Sequence, residues 1–246
     1  MAESPPSRIL TRVAREILRP NGLTQRGRSR IWLDDHGWWV GIVYLAPSPW
    51  AMGAAMSIKA TMLWQAKDFL PLSYSRSARD EHVEYENDEQ FEPEARRLVQ
   101  RAAAEIENVR SAYTSLADWL PVIEANASAM GGWSTLDAGI ANVLRGDTDR
   151  GHLWLAAWIA ELEADIADGG EFEGEDWRLA AHQHAREFVT ALETPAGFKQ
   201  IVIRNIETAR AGQRLAPIQE HQLDTLTGAE SRPPSPPTVI GWPPKF

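Results

Sequence analysis

Three side chains within residues 80–86 are of types that bind divalent cations. If this acidic segment is extended, His82, Glu84 and Glu86 lie on one face of a strand, because alternate residues of a strand share a face. An imidazole with two carboxylates is a suitable ligand set for Zn²⁺ or Mn²⁺. A charged edge strand that prevents aggregation explains the same residues. The metal interpretation would make the chain a divalent-cation-dependent hydrolase or nuclease of unfamiliar type.

His36 is the single side chain best suited to act as a general base. It lies in a turn, residues 34–37, and is flanked by Asp34 and Asp35. An imidazole can accept a proton near neutral pH, but a histidine in a turn is also commonly structural or solvent-exposed. His36 is therefore the candidate catalytic residue.

Two histidines in the second half of the chain do not form a pair. His182 and His184 are two positions apart in a predicted helix and point in different directions, so they cannot bind one metal ion together. His184 falls on the apolar stripe of that helix. We predict that it is a packed, hydrogen-bonded residue.

Sequence signatures of the common enzyme classes are absent. The chain has no Gly-x-x-x-x-Gly-Lys-Ser/Thr, Gly-x-Gly-x-x-Gly, His-Glu-x-x-His or Gly-x-Ser-x-Gly motif. It has no cysteine, which excludes disulfides, thiol nucleophiles and thiolate metal sites. Catalysis is uncertain on this basis, and the sequence favours a protein without enzymatic activity or cofactor.

Charge is distributed unevenly along the 246 residues, whose net charge is −9. Residues 1–30 contain seven arginines against two glutamates, whereas residues 161–176 contain eight acidic residues and no lysine or arginine. An acidic chain without a long basic stripe is a poor nucleic-acid binder, because phosphate contacts supply most of that affinity. Nucleic acid is therefore not an expected partner.

Tryptophan is unusually frequent, with eleven tryptophans against four tyrosines. Most should be buried, because each ring removes a large apolar area from water. A minority at a surface would be natural anchors for a protein partner. The candidates for partner binding are Trp38, Trp39, Trp50 and Trp242.

The periodicity of the chain predicts an α+β fold. A helix over residues 6–19 precedes short strands, and even-numbered positions from Met52 to Trp64 are apolar over a long stretch, which indicates a strand with one buried face. An apolar stripe with helical spacing runs from Phe91 to Leu116 and predicts one long helix. We predict an antiparallel sheet of four to five strands covered by helices, followed by an all-helical half.

Three segments follow from these patterns. Residues 1–128 form the α+β domain, residues 129–212 form a helical extension packed on it, and residues 213–246 form a proline-rich tail. No apolar run reaches the roughly 18 residues of a membrane span, and the first residues lack the apolar block of a secretory signal, so we expect a cytoplasmic protein without a membrane partner.

The opening of the chain resembles a bacterial family of unknown function. Residues 18–23 read LRPNGL and residues 25–28 read QRGR, and an aromatic strand follows. Members of that family open with a helix, Leu-Lys-Pro-x-Gly-Phe, Lys-x-Gly-Arg and a strand; here Leu23 replaces the phenylalanine. The similarity spans about residues 8–125. It implies a small antiparallel α+β domain and no particular activity.

Together these features favour a non-catalytic interaction module. Its partner would be another protein or a second copy of the chain, and an accessory or immunity-type role suits its size and acidity. The cation-dependent hydrolase or nuclease is the alternative.

Overall fold

Two compact units make up the chain in a computed structural model, which describes residues 4–47, 52–67, 70, 74–76, 82–168 and 177–227. The N-terminal unit comprises Met1–Thr61 and Pro71–Ala112, and the C-terminal unit comprises Met62–Leu70 and Tyr113–Phe246. The sequence placed the first boundary at residue 128, which lies inside a helix of the C-terminal unit. A short segment from between two strands also belongs to the C-terminal unit.

The N-terminal unit is an antiparallel sheet with two helices. Its described elements, in chain order, are α1 (Pro5–Leu18), β1 (Thr24–Gln25), β2 (Ile31–Asp35), β3 (Trp39–Pro47), β4 (Gly53–Met62), β5 (Tyr74–Arg76), β6 (His82–Glu84) and α2 (Asp88–Ala112). The strand order is β1-β2-β3-β4-β5, and β6 also pairs with β4. β5 pairs with the second half of β4 and β6 with its first half. The predicted antiparallel sheet is confirmed.

The alternation in β4 creates the buried face of this sheet. Ala54, Met56 and Ile58 are buried and belong to one apolar cluster with residues of α1 and α2. Phe91 and Leu98 of α2 are in the same cluster, so the long helix packs on the sheet as predicted. Burial of each large side chain contributes roughly 1.5–3 kcal/mol, which offsets the entropy lost when the helix and strands order.

The long helix ends earlier than its apolar stripe suggested. α2 ends at Ala112, and a new helix starts at Leu116. The apolar stripe in the sequence predicted a single helix across this break. The break is stabilised by Asp118, whose Oδ2 accepts hydrogen bonds from the backbone N–H groups of Thr114 at 3.1 Å and Ser115 at 2.9 Å. These are donors that a helix start leaves without an intrahelical partner.

Apart from Met62, the last residue of β4, all regular secondary structure in the described part of the C-terminal unit is helical, as predicted. It begins with a short 3-10 helix, Leu63–Gln65. The helices that follow are α3 (Leu116–Met130), α4 (Trp133–Leu144), α5 (Thr148–Ala167), α6 (Trp177–Ala191), α7 (Pro195–Gln213) and α8 (Glu220–Thr227). α8 lies in the segment assigned to the tail by sequence, and residues 228–246 of that segment lie outside the described residues.

Glycine allows α4 and α5 to approach closely. A Cβ atom added at Gly151 would lie 2.3 Å from Val143 Cγ2 and 2.9 Å from the backbone oxygen of Gly139. Both distances are shorter than van der Waals contact, so a side chain here forces the helices apart.

Gly151→Ala is therefore expected to destabilise the C-terminal unit by about 1–3 kcal/mol, although alanine has the better helix propensity. Urea unfolding followed by circular dichroism measures the change. Adding Val143→Ala removes the nearest clashing atom and should recover part of the loss. Wild-type stability of the Gly151→Ala protein would contradict the close packing.

Within the described residues, no helix combines the length and apolar character needed to cross a membrane.

Candidate functional site

The predicted metal ligands lie on the outer edge of the sheet. His82 and Glu84 are exposed on either side of Val83, which packs against the apolar cluster, and Glu86 is exposed beyond the end of β6. In the part of the chain that the structure describes, no group of three or more histidine and carboxylate side chains is placed to hold a metal ion. Within that part of the chain, His82, Glu84 and Glu86 are therefore not gathered into a metal site.

His36 is part of a charged cluster that links β2 to α2. Its Nε2 lies 2.7 Å from Asp34 Oδ2, and the ring stacks on Trp39 with 4.0 Å between centroids. Arg110 donates from Nε to Asp34 Oδ2 at 2.9 Å and from Nη2 to Asp34 Oδ1 at 2.6 Å. Arg110 Nη2 also donates to the backbone oxygen of Asn21.

The charge state of Asp34 follows from these contacts. Burial alone would raise the pKa of Asp34, but the hydrogen bonds from His36 and Arg110 outweigh that effect and hold the pKa below its usual value. A bidentate arginine–carboxylate pair is strong and geometrically specific. We therefore interpret Asp34, His36 and Arg110 as a clamp, named here the Asp34 clamp, that fastens the first hairpin to the long helix.

The tryptophans predicted as partner anchors are buried or lie outside the described residues. Trp38 and Trp39 are 0% and 2% exposed, so neither ring offers a surface that a partner can contact. Trp50 and Trp242 lie outside the described residues. A surface for a partner has to be sought elsewhere.

The C-terminal unit contains a second polar grouping, built around a buried carboxylate. Asp137 of α4 is fully buried. Its Oδ1 accepts hydrogen bonds from Trp64 Nε1 and from Gln65 Nε2, both at 2.7 Å. Two donors on one oxygen hold the carboxylate rigidly and connect the short 3-10 helix to α4.

A backbone turn at Ala66 ends the 3-10 helix. Ala66 has a φ of 54°, in the left-handed region that non-glycine residues rarely adopt. Its N–H is bonded to the backbone oxygen of Leu63. A residue in this conformation costs on the order of 1 kcal/mol, and the surrounding contacts must compensate. Lys67 follows directly.

Lys67 lies on the face of Trp133, which has two further tryptophans as neighbours. Its Nζ is 3.3 Å from the ring centroid of Trp133, the geometry of a cation–π contact. Trp133 is 5.6 Å from Trp158 and 6.2 Å from Trp177, measured between ring centroids. Trp158 is buried, whereas Trp177 is 43% exposed. We call Lys67, Trp133, Trp177 and Asp137 the Lys67 cluster.

The surroundings of Lys67 change its protonation. Burial lowers the pKa of Lys67 to about 8, against the opposing charge of Asp137. The face of Trp133 also favours the charged amine. At neutral pH most of the amine is a cation, and a fraction near one tenth is neutral.

His184 of α6 also responds to the charge on Lys67. Burial is the main cause that lowers the pKa of His184, and among its charged neighbours Glu187 raises it while Arg204 and Lys67 lower it. The ring packs edge-on to Phe188, as expected for a residue on the apolar stripe. The expected hydrogen bond is not seen at Nε2, which has no partner among the described residues.

The Lys67 cluster was not predicted from the sequence. Trp64 and Asp137 are 73 residues apart in the chain, so no local motif joins them. One signal was available: Asp137 interrupts an otherwise apolar stretch of a predicted helix. A charged residue within such a stretch needs a buried partner.

Comparisons of the chain with protein-family models, with curated proteins and with solved structures find no match.

Proposed function

We propose that this chain is a non-catalytic protein-interaction module whose contact surface is the exposed part of the Lys67 cluster. The observation that carries the proposal is the position of Trp177, 43% exposed and resting against Trp133. Tryptophan contributes more binding energy at protein interfaces than almost any other residue. An accessory or immunity-type role in a bacterium, which suits the size and acidity of the chain, is part of the same proposal.

The rings of this surface pack on one another within the chain itself. Trp133 has Trp158 and Trp177 as neighbours, and Lys67 covers its face. A preorganised surface loses less conformational entropy on binding than a mobile one. A partner would pack an apolar side chain on Trp177 and hydrogen-bond to the amine of Lys67.

The Asp34 clamp supports a non-catalytic interpretation of His36. The ring is paired with Asp34 on one edge and covered by Trp39 on one face. These contacts give His36 a structural role in joining β2 to its surroundings. A catalytic role is not needed to explain why a histidine lies at this position.

Affinity capture from cells that encode the chain tests the proposal. Once a partner is captured, its dissociation constant is measured for Trp177→Ala and for the control Tyr44→Ala, an exposed aromatic residue of the N-terminal unit. Loss of a hot-spot tryptophan costs about 2 kcal/mol or more, so we expect roughly 30-fold weaker binding for Trp177→Ala. Tyr44→Ala should bind within about threefold of wild type.

Two further results test the contact surface and the identity of the partner. Equal affinity of wild type and Trp177→Ala would contradict the proposed contact surface. Light scattering of the purified chain shows whether the partner is a second copy, in which case Trp177→Ala lowers the oligomer mass.

A further inference from the structure

We propose that Lys67, held on the face of Trp133 beside the buried carboxylate of Asp137, is a covalent binding site for aldehydes that carry an aromatic or apolar body. The ligand would be bound reversibly, as an imine on Nζ. This inference does not depend on the proposed protein partner.

The geometry supplies both parts of such a site. The amine lies 3.3 Å from the centroid of Trp133, and Trp177 continues the aromatic surface toward solvent. An aldehyde whose carbon reaches Nζ would place its body against these rings. Aromatic pairs of this kind contribute beyond the area that they bury.

The protonation state of the Lys67 amine at neutral pH also suits imine formation. Imine formation requires the neutral amine, and lysines that form Schiff bases are commonly activated by an apolar pocket. Burial lowers the pKa of Lys67 to about 8. About a tenth of this amine is then neutral at pH 7, against roughly 0.04% for a lysine of ordinary pKa.

The chemical step balances without any further reactant. The lysine ammonium gives up one proton, and the neutral nitrogen adds to the aldehyde carbon to form a carbinolamine. The hydroxyl group then takes up a proton and leaves as water. The sum converts an ammonium and an aldehyde to a protonated imine and one water molecule, with no oxidation or reduction.

Neighbouring charges favour the protonated product. The imine nitrogen keeps the positive charge of the ammonium, so the carboxylate of Asp137 and the face of Trp133 stabilise it as they stabilise the cation. Asp137 itself is held in place by Trp64 and Gln65. His184 is a further titratable group whose pKa registers the charge of Lys67.

Reductive trapping tests the proposal on the wild-type chain. The protein is incubated at pH 7 with benzaldehyde and sodium cyanoborohydride, which reduces each imine to a stable amine, and labelled lysines are quantified by peptide mass spectrometry. The chain has four lysines, and Lys199, exposed on α7 of the same unit, is the internal control. We expect Lys67 to be labelled at least ~10-fold faster than Lys199, because burial lowers the pKa of Lys67 and the ring of Trp133 lies beside its amine.

Two controls show whether the fold is responsible. In urea the rates at Lys67 and Lys199 should become nearly equal, because the aromatic surface and the burial are lost. Acetaldehyde, which lacks a ring, should give a smaller preference for Lys67 than benzaldehyde does. Equal labelling of the two lysines in the folded protein would overturn the proposal.

Discussion

Asp137→Ala is expected to destabilise the C-terminal unit by about 2–5 kcal/mol. The substitution removes the shared acceptor of two buried donors, Trp64 Nε1 and Gln65 Nε2, and leaves Gln65 Nε2 with its 3.4 Å bond to the backbone oxygen of Trp133. Loss of the acceptor of a buried donor costs roughly 1–3 kcal/mol. Urea unfolding followed by tryptophan fluorescence and circular dichroism measures the loss.

Two control variants distinguish the loss of a buried acceptor from the loss of any carboxylate. Asp149→Ala removes an exposed carboxylate from α5 and should change stability by about 0.5 kcal/mol or less. Asp137→Asn keeps an oxygen acceptor, so its free energy of unfolding should fall by less than that of Asp137→Ala. Equal stability of Asp137→Ala and Asp149→Ala would contradict the buried cluster.

Arg110→Met is expected to destabilise the N-terminal unit by about 2–4 kcal/mol. It removes the bidentate partner of the buried Asp34 carboxylate and leaves His36 as its remaining partner, and removing one side of a buried ion pair is costly. We place the value below the cost of breaking a fully buried pair because 23% of the Arg110 side chain is exposed. The control is Arg97→Met on the same helix, where 70% of the side chain is exposed and a change of about 0.5 kcal/mol or less is expected.

The effect of Arg110→Met should depend on pH in a defined direction. The pKa of Asp34 is lowered in the folded chain, so its ion pair stabilises the fold above the unfolded-state pKa near ~3.9. This stabilisation is lost as the pH falls through the folded-state value. The difference in the free energy of unfolding between wild type and Arg110→Met should therefore be largest at pH 7 and decrease below about pH 4. A difference that stays constant down to pH 2 would contradict the role of the Asp34 clamp.

Periodic elements were predictable because the pattern of side chains directly encodes a buried face. The alternation in β4 and the stripe of α2 each place apolar residues on one side, and these two faces meet in the core. The break between α2 and α3 was missed because the apolar stripe continues across it. Thr114, Ser115 and Asp118 mark the new helix start, a local signal that outweighs the stripe.

Contacts between distant residues could not be predicted in the same way. His36 was identified from its turn, but Arg110, which shares its carboxylate, lies 76 residues from Asp34. The eleven tryptophans suggest a surplus of rings and make Trp38 and Trp39 candidate surface anchors, yet both are buried. Trp177 could be placed on a helix, but its exposure depends on tertiary packing that periodicity does not specify.

The most direct test of this account is the titration of Lys67, since its amine lies at the centre of the Lys67 cluster and is used by both proposals. The lysines are isotopically methylated, the Lys67 signal is assigned with Lys67→Arg, and its NMR shift is followed from pH 6 to pH 12. We predict a midpoint near 8, well below the ordinary lysine value of 10.5. A midpoint at the ordinary value would show an amine in open solvent and would contradict the cluster.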